Sequence, residues 1–201
     1  MKIKTLATAT MIAFLGFSAN ASAKKSDNND NASRVVQGSY TVVSGSVETF
    51  DISSDPTKLE QLGTYSILLK NTEWNRLPWR DKLRVRKYVH ITGSLKGTID
   101  VSNLYTVGPV VSHVMIDDDR STVIRSENDV FYPVSGDLFC STGSPMEILE
   151  YVNLVGATGQ YENLTSGTIS LSGTVNNCPG QDDYGKYDLS VVPGESTLIF
   201  E

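Results

Sequence analysis

Alternation of apolar and polar residues runs through most of this chain from Val35 onward. The clearest run is Leu83 to Asp100. Leu83, Val85, Val89, Ile91 and Leu95 fall on one face with Lys87 among them, and Arg84, Arg86, Tyr88, His90 and Thr92 fall on the other. A period of two over this length predicts a half-buried strand. Gly93 and Gly97 predict a bend or bulge within it. Along Ile148 to Val155, Ile148, Glu150, Val152 and Leu154 share one face, and Leu149, Tyr151, Asn153 and Val155 share the other. Both faces are partly apolar, which suits a barrel wall. In the segment after it, Ile169, Leu171 and Val175 oppose Thr168, Ser170, Ser172 and Thr174.

Shorter segments complete the pattern. Val35 to Val43 and Ser46 to Ile52 predict a first pair of strands, and Tyr65 to Leu69 another. Val110 to Ile116 and Ser121 to Ile124 flank the acidic turn Asp117-Asp118-Asp119-Arg120. Phe131-Tyr132-Pro133 and Gly136 to Cys140 make a short strand with loops. Lys186 to Val192 and Ser196 to Phe200 are joined by the turn signal Pro193-Gly194. The helix candidate is Thr57 to Leu62, because Asp55-Pro56 is a usual helix start and Gly63 a usual stop. Roughly nine to eleven short strands with at most one short helix predict an all-β fold, a single antiparallel β-barrel or a sandwich. A barrel is favoured because closure removes sheet edges.

The first residues read differently. Lys2 and Lys4, an apolar Leu6 to Phe17 and Ala21-Ser22-Ala23 have the layout of a secretory signal peptide over residues 1–23. Residues 24–33, KKSDNNDNAS, read as a polar leader, and 34–201 as the barrel domain. No later apolar run reaches the roughly 18 residues of a membrane helix, so no membrane insertion is expected. An outer-membrane barrel is disfavoured, since the strands lack a regular lipid-facing band. The expected location is periplasmic or secreted.

Charge narrows the partners. The chain carries 17 basic and 23 acidic residues for a net −6, and removing Lys2 and Lys4 makes it more acidic still. That disfavours nucleic acid and anionic membrane surfaces. The two cysteines, Cys140 and Cys178, predict one disulfide in an oxidising compartment. A reactive thiol is the minor reading, as no basic cluster adjoins either cysteine in sequence. Neither the cysteines nor the acidic turn has metal-site spacing, and no metal or cofactor is expected.

Candidate ligand contacts come from residue type and position. Trp74 and Trp79 flank Pro78 in the segment Asn71 to Asp81. They read as an aromatic platform for a ligand or as indoles buried at a barrel end, and the second is favoured. The row Arg84, Arg86, Tyr88 and His90 reads as a solvated face or as the wall of an anion-binding cavity. Glu150, Tyr151 and Asn153 are polar groups on a strand. His113 has no partner motif and reads as structural or exposed.

Gly156-x-Thr158-Gly159-x-Tyr161, followed by Thr165-x-Gly167-x-Ile169, resembles the glycine-rich hairpin of allene oxide cyclase-like and dirigent-like barrels. Ala157 and Leu164 depart from that pattern. The resemblance implies a barrel of that type, glycines at a tight connection, and Tyr161 tucked into the barrel end. It implies fold and no activity. The expected function is therefore a non-catalytic exported barrel that binds a small apolar ligand or a protein partner. The alternative is an isomerase, cyclase or dirigent-like protein acting inside the barrel, which would require a buried carboxylate with a raised pKa in a cavity. A homo-oligomeric structural barrel is a third reading.

Overall fold

The computed structural model describes residues 34–55, 57–103 and 108–201. The signal-peptide and leader readings, and Pro56, lie outside these residues. Ten strands follow in order: β1 (Gly38–Asp51), β2 (Lys58–Asn71), β3 (Tyr88–Asp100), β4 (Val110–Asp117), β5 (Val123–Ser126), β6 (Val130–Ser135), β7 (Met146–Ala157), β8 (Leu164–Val175), β9 (Lys186–Val191) and β10 (Thr197–Phe200). One short helix, α1 (Trp79–Lys82), interrupts them.

All pairings between the ten strands are antiparallel, and they close into a barrel of eight staves. β1 pairs β2, β2 pairs β3, β3 pairs β4, β4 pairs β5, β5 pairs β7 and β7 pairs β8. The eighth stave is built from two strands. β9 bridges β8 and β1 at one end, and β10 bridges the same two strands at the other. Between them Pro193 cannot donate to a ladder. The Ser196 hydroxyl accepts from the Ser170 N–H at 3.0 Å, and the Ser170 hydroxyl donates to the Glu195 carbonyl at 3.2 Å. Side chains thus replace the missing ladder bonds. β6 continues from β5 along β7 and pairs with no other strand.

Two expectations are corrected. Val35 to Val43 and Ser46 to Ile52 do not form a pair of strands: β1 is one strand, and the irregularity at Val43 is a bulge that shifts register between Val42 and Ser44. Thr57 to Leu62 is not helical. Asp55 does make the local bonds of a helix start, accepting the Thr57 N–H at 2.8 Å and its hydroxyl at 2.7 Å. From Lys58 the backbone instead pairs with β3, with Leu59 opposite Ile99 and Gln61 opposite Gly97. A run of under two turns gains little by helix formation, whereas a full ladder satisfies every peptide group along both strands.

The alternation sends apolar side chains inward on every stave, the reverse of a lipid-facing barrel with a polar lumen. One end of the barrel is plugged. Tyr40 meets Phe200 edge-on at 5.4 Å, and Phe200 meets Tyr161 at 6.1 Å. Tyr161 ends a short turn, Gly159–Tyr161, in which Gly159 has φ +64° and a Cβ would lie 2.2 Å from the Ser121 carbonyl oxygen. Only glycine fits there. The opposite end carries the β6–β7 and β8–β9 loops, joined by the Cys140–Cys178 disulfide with Cα atoms 5.2 Å apart.

Candidate functional site

The unplugged half of the barrel contains a cavity of about 110 Å³. Val47, Ile67, Leu95, Met115, Val152 and Ile169 line its inner part, and Leu59, Val101, Pro109, Leu138 and Asn177 its outer part, toward the disulfide-bonded loops. A small set of polar groups breaks this apolar wall at mid-depth: Thr49, Gln61, His113, Glu150 and Tyr187. Strand register explains their common level. Thr49 lies opposite Tyr187, and Gln61 and His113 both lie opposite Gly97. Gly97 leaves room for that layer, since a Cβ on it would come within 3.1–3.2 Å of the His113 ring and Gln61 Oε1.

His113 is fixed by neighbours that are remote in sequence. β4 presents Val111, His113 and Met115 inward. The turn after β5 brings Asp129 beneath the ring, where the Asp129 N–H donates to the Val111 carbonyl at 3.0 Å. His113 Nδ1 donates to Asp129 Oδ2 at 2.8 Å, and the Ser126 hydroxyl donates to the same oxygen. The Asn153 N–H donates to Asp129 Oδ1 at 2.6 Å, and the His113 N–H donates to Ser126 Oγ at 2.8 Å. The carboxylate accepts from the ring, the Ser126 hydroxyl and the Asn153 N–H, so Nδ1 carries the proton and Nε2 faces the cavity. From β7, Glu150 Oε1 approaches Nε2 at 3.8 Å. His113, Asp129 and Glu150 are all buried.

Burial disfavours charge on the imidazole, but the Asp129 hydrogen bond and the charges of Glu150 and Asp129 outweigh it and hold His113 above its ordinary range. Burial also pushes the Glu150 carboxyl up; the His113 charge opposes that rise and the Asp129 charge adds to it. The two groups act as one coupled pair that keeps a proton to higher pH than either would in water. Tyr187 is pushed up to about 12 by burial and then by the Asp51 charge, so it stays a neutral phenol, hydrogen-bonded with Gln61. The Thr49 hydroxyl donates to Gln61 Oε1 at 3.2 Å. Nearer the disulfide, Asn177 donates to the Asp137 carbonyl at 2.7 Å, while its buried Oδ1 has no partner among the described residues.

Both raised groups bias stability in the same direction. Between the ordinary carboxyl value of 4.5 and the range above the imidazole's 6.5, the folded state binds protons that the unfolded chain has released. Stability from this pair is therefore complete at low pH and declines as pH rises through that window. Glu150→Gln removes the carboxyl's share. Thermal denaturation from pH 4.5 to 8 should show the variant gaining stability over the wild type toward the alkaline end, with little gain at the acid end. Parallel wild-type and variant curves would mean Glu150 is as well solvated folded as unfolded.

Of the sequence-selected residues, Glu150 is the one whose side chain lines the cavity. Asn153 contributes its backbone N–H to Asp129, and its side chain donates outside the cavity to the Asn128 carbonyl at 2.9 Å. Tyr151 faces outward and meets Tyr132 edge-on at 6.2 Å. Tyr88 and His90 lie on the outer face of β3, because the alternation that buries Val89 and Ile91 exposes them. His90 shares a 2.9 Å hydrogen bond with Ser66 there. None of the row Arg84, Arg86, Tyr88 and His90 lines this cavity. The indoles do not bury as a barrel cap: Trp79 is 69% exposed under the Arg80 guanidinium, and Trp74 is half-buried. Of the two readings of His113, structural or exposed, the exposed one is corrected: the residue is buried, and its carboxylate neighbours come from a turn and a strand remote in sequence. The available signal was its place between Val111 and Met115 on an inward face. The chain matches no protein-family model, no curated protein and no solved structure.

Proposed function

We propose that this chain is an exported barrel that takes a small, largely apolar molecule into its interior. The carrying observation is the cavity itself: an apolar wall with a few convergent polar groups at one level is the usual make-up of a small-molecule site. The Cys140–Cys178 bond supports an oxidising compartment. The likeness of Gly156 to Ile169 to allene oxide cyclase-like and dirigent-like hairpins supports the barrel scaffold and carries no activity. Size follows from comparison: a buried apolar cavity of about 150 Å³ accepts benzene, so this smaller one suits a ring of about five carbons at most.

A second reading, chemistry on the bound molecule, is favoured by one observation. Glu150 is a buried carboxyl with a raised pKa inside the cavity, facing an imidazole that a second carboxylate orients. The test of binding uses the chain's own reporters. Met115 and Met146 both line the cavity, and their methyl resonances should respond together to an apolar cyclic ligand.

A further inference from the structure

The polar layer has a directional arrangement. His113 Nδ1 is committed to Asp129, which leaves Nε2 as the ring's working atom. Glu150 reaches it from the neighbouring wall at 3.8 Å, beyond a direct hydrogen bond yet close enough for one substrate to touch both. Asp129 stabilises a protonated ring; Glu150, with His113 as its ion-pair partner, is left to accept a proton. A hydrogen-bond donor beside a carboxylate base matches a molecule that carries an acceptor one bond away from an acidic C–H. A ketone or aldehyde has that pattern. The surrounding residues, among them Leu95, Ile148, Val152 and Leu171, would exclude water from the carbon skeleton.

Resting on the reading that the cavity binds a small apolar molecule, we propose that Glu150 and His113 form an acid–base pair that enolises a small cyclic ketone within it. The imidazolium Nε2–H donates its proton to the carbonyl oxygen while the Glu150 carboxylate removes the proton from the adjacent carbon. The C–H bond breaks, its electrons form the C=C bond of the enol, and the former C=O electrons bind the new O–H proton. Return of the Glu150 proton to carbon, at the same position or across a conjugated double bond, and of the O–H proton to Nε2 regenerates both groups. The net change is proton exchange or double-bond migration. No oxidant, reductant or metal enters the balance. Asp129 acts as a positioning residue, and Tyr187 and Gln61 border the pair as neutral hydrogen-bonding groups.

The experiment is deuterium exchange into cyclopentanone in D₂O, followed by loss of its α-proton NMR signals, with Met115 and Met146 methyl shifts recorded on the same samples. Wild-type protein should accelerate exchange above the buffer rate. Glu150→Gln should bind the ketone, judged by the methyl shifts, yet lose about 100-fold or more in exchange rate, the usual scale of a positioned acid or base. His113→Gln should behave alike, and Asp129→Asn should displace the pH profile of exchange. Binding without acceleration by the wild type overturns the acid–base proposal and leaves the binding reading standing. Exchange by Glu150→Gln at the wild-type rate also overturns it. Absence of methyl shifts with the wild type overturns both. Should His113→Gln fail to fold, Glu150→Gln alone decides, since the amide matches the carboxyl in size.

Discussion

Tyr161→Ala should lower stability by about 3–5 kcal/mol, the cost of deleting a buried aromatic side chain. In a chain of this size that corresponds to a fall of roughly 10 °C in thermal midpoint. Tyr161 is 2% exposed and meets Phe200 edge-on, which in turn meets Tyr40. Its removal leaves a hole among the aromatic rings of the plugged end. The ring pairs themselves are worth about 0.5–1.5 kcal/mol beyond burial, so Tyr161→Phe should retain most of the stability. Differential scanning calorimetry on both variants makes the comparison. Equal midpoints for Tyr161→Ala and wild type would show that the plug does not hold that end closed.

Loss of the Cys140–Cys178 bond should rank next. The bond spans 38 residues, and closing a loop of that length restrains the unfolded chain by roughly 3–4 kcal/mol in the chain-entropy account. It also ties the two loops beside the cavity's outer part, where Leu138 and Asn177 adjoin its two ends. The double variant Cys140→Ser, Cys178→Ser should therefore lose that amount of unfolding free energy, with a lower denaturant midpoint. A reducing agent should shift the wild type to the same midpoint and leave the variant unmoved. A wild type indifferent to reductant under unfolding conditions would remove the bond from the account of stability.

The fold was legible because one physical rule dominates it. Inward and outward positions alternate along β3 and along β7 from Met146 to Val155, so their faces can be read directly. Turn chemistry marked the ends, as at Pro193-Gly194. Legibility fell where pairing overrode local preference. Asp55 offers the same local hydrogen bonds to a strand entry as to a helix, and only the β3 partner decides between them. Nor could the sequence reveal that β1 passes through Val43 as a bulge, because a break in alternation and a turn look the same in one dimension.

The site was half legible for a related reason. Glu150 could be singled out as a carboxylate on an apolar strand face. His113, Asp129, Gln61 and Tyr187 lie on different staves or turns, and only closure and register bring them to one level. The outward candidates Tyr88, His90 and Tyr151 share their strands with buried residues and differ from them by one position. Face assignment therefore decides function here, and a polar residue on the inward face carries more information than an aromatic in a loop such as Trp79.

The most direct measurement of the central claim uses methionines labelled at the methyl carbon. The chain contains four methionines, of which Met115 and Met146 line the cavity from β4 and β7. A titration with cyclopentanone, followed by two-dimensional carbon–proton NMR, should move both resonances together and saturably. Saturation of both methyls is the predicted result. Fixed methyl resonances, with shifts confined to surface groups, would contradict an interior binding site.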